Sequence, residues 1–339
     1  MTNLIPYNSI FMLDFFGRVL VCCTAFATLS AAADSRPIPL SGNAISGFAV
    51  AGSTLYVWGD GAFAIDLRNG HREQLADGRF EEGGCVLDGG LVLNSVAPRQ
   101  LLWLRLSDRQ RFVIDTAVDT RDAIAADLLG HHGVLLIHKR QQVRFYDMPS
   151  PMRDHWTESE LYTIYTPSTE GGIVIADIDG DGLPDLLCGN YWMKSPTAFD
   201  LPWREFAIDT WSEEEGSAML RLAWSAPVRI AAQRDMRPAR ASWFERAADP
   251  KQLWPSHELM PGGVAGGVSA ALFVGRDLIL SEREAPGRIL LFHRTGAGFA
   301  PAKELTRANN VIGIAVFGTH DLLLIQKNRV VLLRHPKFN

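Results

Sequence analysis

One phrase recurs seven times along this chain: small residues opening an apolar strand, a short turn, a second apolar strand ending in polar residues, then a third strand. A unit this small cannot bury its apolar faces alone, so it must stack on copies of itself. The first strands are expected at 47–50, 84–87, 124–129, 172–178, 217–223, 268–274 and 312–317, and the second at 55–58, 91–94, 134–138, 186–188, 228–232, 278–281 and 322–326. Asn94 to His138 spans 44 residues, Asn190 to Gln233 spans 43 and Glu282 to Gln326 spans 44, whereas the 52 from His138 to Asn190 marks an insertion. Units of roughly 40 to 50 residues suit four-stranded blades. The expected fold is therefore all-β: a single seven-bladed β-propeller over 34–339, built of four-stranded antiparallel blades. Gly and Pro at short intervals, with strands rich in Val, Ile and Leu, argue against long helices. The last phrase shows only three strands, so residues 36–41 are expected to supply the fourth and to close the ring without an exposed edge.

Before the first phrase lies a leader. Arg18, the apolar stretch 19–29 and Ser30-Ala31-Ala32-Ala33 read as a signal peptide over 1–33, and a start at Met12 would give a shorter one with the same mature chain. A secreted or periplasmic protein is expected, with no membrane span after cleavage, because the apolar stretch is shorter than the roughly 20 residues a spanning helix needs. Cys85 and Cys188 then remain, in a compartment where a disulfide can form; their apolar flanks favour two buried thiols instead. A net charge of −5 and a pI near 6.0 provide no basic field for nucleic acid. The chain is expected to be a monomer.

The densest chemistry lies in Asp177-Ile178-Asp179-Gly180-Asp181-Gly182-Leu183-Pro184-Asp185. Carboxylates at loop positions one, three, five and nine, a glycine at six and a carbonyl at seven match the oxygen-rich shell that Ca²⁺ takes. Four carboxylates this close repel one another without a cation. Position twelve is Cys188 where an EF-hand needs Glu, and the flanks read as strands, so the loop is not an EF-hand. Together with Leu186-Leu187-Cys188-Gly189-Asn190-Tyr191-Trp192, it resembles an FG-GAP or VCBS-type repeat, the blade unit of integrin-like β-propellers. That resemblance implies one calcium between the first two strands of the fourth blade, held by Asp177, Asp179, Asp181, the Leu183 carbonyl and Asp185. The other six phrases lack the motif.

Aligning the second strands brings Asp60, Asn94, His138, Asn190, Arg234, Glu282 and Gln326 to equivalent ends, with Lys139, Tyr191, Trp192, Glu284 and Lys327 beside them. These residues are expected to ring one mouth of the channel, where Trp192 or Tyr191 offers a stacking face for a carbohydrate and polar groups could orient a protein segment. Two functions follow. One is a non-catalytic binding or adhesion module. The other is a carbohydrate lyase or isomerase acting on a keto-sugar or uronide, with His138 as base, Tyr191 as proton donor, Arg234 stabilising an anion, and Glu282 converging on the same cavity. G-x-S-x-G, H-E-x-x-H, phosphate-binding glycine loops and Cys-x-x-Cys are absent from the sequence. His131-His132 falls in a turn, where exposure is the ordinary explanation.

Overall fold

Strands follow one another through the chain, and no helix occurs among the described residues. The computed structural model describes residues 35–39, 43–120, 122–139, 141–164, 172–210, 219–225, 229–234, 239–296, 298–319 and 321–334. The leader 1–33 and the last two residues of the expected closing strand lie outside them.

The chain opens with β1 (Ser35–Pro39). It then builds a six-stranded sheet from β2 (Ile45–Ala51), β3 (Thr54–Asp66), β4 (Arg72–Leu87), β5 (Gly90–Val96), β6 (Arg99–Arg105) and β7 (Arg111–Thr116). A four-stranded sheet follows from β8 (Ala123–Leu128), β9 (His131–His138), β10 (Gln142–Asp147) and β11 (Thr157–Thr163). The next contains β12 (Ile173–Ala176), β13 (Asp185–Cys188), β14 (Tyr191–Lys194) and β15 (Arg204–Ala207). After it come β16 (Met219–Ser225), β17 (Arg229–Arg234), β18 (Arg240–Glu245) and β19 (Ser256–Glu258). The chain continues through β20 (Val268–Val274), β21 (Asp277–Glu282), β22 (Gly287–Phe292), the small hairpin of β23 (Arg294–Thr295) and β24 (Gly298–Phe299), and β25 (Lys303–Ala308). It ends with β26 (Val311–Phe317), β27 (Asp321–Gln326) and β28 (Arg329–Leu333). Strands β20, β21, β22 and β25 make one four-stranded sheet, and β26, β27, β28 and β1 make another.

Among the described residues, then, five four-stranded sheets stand as separate blades, not the seven expected. The first two phrases are merged. Residues 72–79 of β4 pair with β3, while residues 80–87 pair with β5, so one unbroken strand serves both. Gly78 and Gly83 take positive φ values of 126° and 81°, which lets the backbone bend at these points without a residue that ends the strand. Within β3 the chain doubles back at Asp60-Gly61, since the Leu67 N–H donates to the Ser53 carbonyl at 2.9 Å across its two ends.

The second strands explain the apolar phrases. β5, β9, β21 and β27 are buried along most of their length, because neighbouring sheets cover both faces; such strands read as continuous Leu, Val and Ile runs with little alternation. Trp58 shows how adjoining units interlock. Its indole lies against Gly47 and Gly84, at either of which a Cβ would collide with the ring, and its Nε1–H donates to the Glu81 carbonyl at 3.0 Å. At the join between chain ends, β1 pairs antiparallel with β28 from Ser35 opposite Leu333 to Pro39 opposite Arg329. Ile38 is buried in one apolar cluster with Leu323, Ile325, Val330 and Leu332, and with Leu55, Val57 and Phe63 of the first sheet. Cys85 and Cys188 are buried free thiols; burial pushes the Cys85 thiol up to about 12 and raises that of Cys188 as well.

Candidate functional site

The aspartate loop connects β12 to β13, and hydrogen bonds to its own backbone fold it tightly. Asp177 accepts from the Gly180 N–H at 2.8 Å and the Gly182 N–H at 3.0 Å, and Asp181 accepts from the Leu183 N–H at 2.9 Å. Gly180 and Gly182 adopt φ values of 85° and 84°, the left-handed region that a side chain disfavours. Asp185 is wholly buried, and its two oxygens accept from Ile178 N–H at 3.0 Å and Ser195 N–H at 2.9 Å. Burial pushes its carboxyl above the usual range, while those two N–H groups pull the other way.

Asp177, Asp179 and Asp185 each offer an oxygen, and these atoms lie within 4.8 Å of one another. Three carboxylates therefore fit a hard cation. The sequence missed a fourth participant, Lys194, whose Nζ donates to both Asp179 and Asp181. Burial works against its charge, but the two carboxylates outweigh that effect and raise its pKa to about 12; the same bond from Lys194 holds Asp181 below the usual carboxylate range. The repulsion expected of a metal-free loop is thus relieved in part by an internal ammonium. The hairpin register carried this signal. Leu186 pairs with Met193, so the next pair outward sets Lys194 beside Asp185 at the loop's foot.

At one end of the central channel, a cavity of about 610 Å³ is lined by residues of β2, β3, β4, β8, β12, β20 and β26 and of the turns beside them. Register places the expected ring at this same end: Glu282 pairs with Val268 where β20 begins, and Gln326 with Val311 where β26 begins. Yet none of Asp60, Asn94, His138, Asn190, Tyr191, Trp192, Glu282 and Gln326 lines the cavity. Asn94 is buried and donates to the Thr120 carbonyl at 2.9 Å. His138 is 4% exposed, and its Nδ1 accepts from the Asp119 N–H at 3.3 Å; burial, then Arg144 and Lys139, hold its pKa below the usual value. Glu282 is gripped by Arg288 through Nε at 2.8 Å and Nη2 at 2.6 Å, and Gln326 accepts from Arg329 at 2.6 Å. Trp192 is fully buried, stacked on Phe206 with centroids 4.9 Å apart, and its Nε1–H donates to the Pro250 carbonyl at 2.9 Å. Asn190 is buried and Tyr191 half-buried, while Asp60 is exposed and accepts from the Ala44 N–H at 3.2 Å. The side chain of Arg234 lies outside the described residues.

The physical reason is the alternation of a strand. A second strand is the second layer out from the channel, and its terminal polar residue turns sideways into the seam between units, where a partner holds it. In two units the residue after it enters the mouth. Lys327 and Arg283 do so, each fixed by its backbone N–H, to the Asn310 carbonyl at 3.1 Å and the Gly267 carbonyl at 2.8 Å. Glu82 and Asp122, which no alignment of second strands could mark, line it from the starts of inner strands. His131 and His132 sit at the start of β9, paired with Asp147 at 2.8 Å and with Asp127 and Asp88 at 2.6 and 3.0 Å.

Sheets radiating from a channel lined by inner strands define a β-propeller. Solved structures agree. The chain is similar to YCF48 from Cyanidioschyzon merolae (TM-score 0.60, 13% identity, 90% of this chain and 99% of that one). It is also similar to the Cps50 (Swd1) β-propeller domain of Myceliophteria thermophila (0.60, 15%, 88% and 98%) and to BamB from Moraxella catarrhalis (0.52, 11%, 85% and 84%). At such identities the likeness concerns the fold. No family model and no curated protein matches the sequence.

Proposed function

We propose that this propeller is an exported, non-catalytic binding module that takes a carbohydrate or protein ligand at the channel mouth. The observation carrying this reading is the cavity of about 610 Å³, a size that suits small ligands, lined by charged side chains of both signs and by aromatic surface. The enzymatic alternative asked His138, Tyr191 and Glu282 to converge there. His138 and Glu282 are instead buried in the sheets with partners, which favours binding over proton transfer. A thermal-shift panel of oligosaccharides and peptides, run on the mature chain and on Ser46→Trp, at a half-buried residue that lines the cavity, to plug the mouth, tests the reading. Expected is a ligand that raises the melting temperature of the parent and not of the plugged variant; a panel without effect, or equal shifts in both, overturns it.

Export rests on the leader over 1–33, and kinship with FG-GAP or VCBS-type repeats rests on the loop 177–185. Calcium in that loop is supported by the convergence of Asp177, Asp179 and Asp185. When bound it would supply positive charge and cross-link the β12–β13 connection, a structural role. A count of seven units is supported by the double duty of β4, whose two halves pair with different neighbours.

A further inference from the structure

Among the described residues, the mouth is electrically two-sided. Glu82 belongs to the inner half of β4, and Asp122 immediately precedes β8; β4 lies against β8, so the two carboxylates share one wall. Arg283 follows β21 and Lys327 follows β27, and the inner strands they accompany, β20 and β26, lie against each other. Going round the ring, β2 alone separates the basic wall from the acidic wall on one side, while β12 and β16 separate them on the other. The two signs therefore face each other across the opening. Glu82, Arg283 and Lys327 are exposed, and no ion pair ties any of them among the described residues. On the β2 side, Phe48 and the edge of Trp58 contribute aromatic surface between the walls.

From this we infer that the ligand is a linear zwitterion, of which a short peptide with both termini free is the fitting class: its ammonium sits at Glu82 and its carboxylate at Arg283 and Lys327. The inference rests on the proposal that the mouth binds a ligand, and it names that ligand. An ammonium beside a carboxylate and an aromatic face gains from both. A terminal carboxylate gains from two convergent cations, with Arg able to grip it by two parallel bonds. A ligand of one sign would meet repulsion from the opposite wall, so the arrangement selects against uronides and polyamines alike.

The test is calorimetric titration, at low salt, of a ladder from di- to pentaglycine in four forms: free, N-acetylated, C-amidated and doubly blocked. Free peptides of the matching length are expected to bind, and each block to weaken binding about tenfold, with the effect shrinking at high salt. Glu82→Gln should abolish the penalty of acetylation and keep that of amidation. Arg283→Gln combined with Lys327→Gln should do the reverse. These positions are exposed, so unchanged melting temperatures will show that the variants fold. Blocked peptides that bind as well as free ones, or penalties that do not follow the matching wall, overturn the inference. If no glycine peptide binds while another panel ligand is excluded by Ser46→Trp, the zwitterion fails and the binding module stands; if nothing is excluded by that plug, both fail.

Discussion

Lys194 and Asp185 illustrate two ways in which one loop uses charge, and they separate experimentally. Lys194 neutralises Asp179 and Asp181 from a partly exposed position. Lys194→Gln should lower the melting temperature by roughly 2 °C in chelator, a modest loss typical of partly exposed pairs. If calcium occupies the loop, added calcium should erase that difference, because the ion replaces the missing charge; a difference unmoved by calcium would show that the lysine acts alone. Asp185→Ala leaves the Ile178 and Ser195 N–H groups buried without acceptors, so it should cost about 2–5 kcal/mol in denaturant unfolding in chelator. Glu282 provides the pH test. Arg288 holds its folded carboxyl below the ordinary value, so its stabilisation is fully present above the unfolded carboxyl pKa of about 4.3 and is lost as pH falls through the lower folded pKa. Glu282→Gln should therefore melt earlier than the parent at pH 6, with the gap closing below about pH 4. At this scale the aspartates in the sequence marked the loop whose carboxylates the fold brings together. It could not show that Glu282 and Gln326 turn into the seams while Arg283 and Lys327 enter the mouth, because a period of two makes a one-residue slip swap the faces.

Among elements, buried second strands were the most legible: runs such as Leu322-Leu323-Leu324-Ile325 have no solvated face and hence no alternation to blur them. The closing strand was legible for a different reason, a phrase left one strand short. The fusion in β4 was not, since glycines at 78 and 83 normally announce a break and here permit a bend. Two variants test the joins. Trp58→Ala removes the indole lodged between Gly47 and Gly84 and should cost about 3–5 kcal/mol in denaturant unfolding. Ile38→Asp places a charge in the cluster that links β1 to the first sheet, and should expose β28 as an unpaired edge, read as a lower melting temperature with concentration-dependent aggregation.

At the scale of the molecule, the two-sided mouth and the aspartate loop are separate devices on one frame. The loop lies outside the set of residues that line the cavity, so loss of the cation proposed for it should alter stability before it alters binding. Chelation is expected to lower the melting temperature while leaving the affinity of a mouth ligand within about twofold below the transition. The pairing of β1 with β28 carries a consequence for biogenesis. Synthesis delivers residues 35–39 well before their hydrogen-bonding partners 329–333, with the other sheets in between. Whatever rate the intervening sheets achieve, the seal waits for residues 329–333 to arrive, and until then residues 35–39 must remain unclaimed by any other sheet edge in their surroundings.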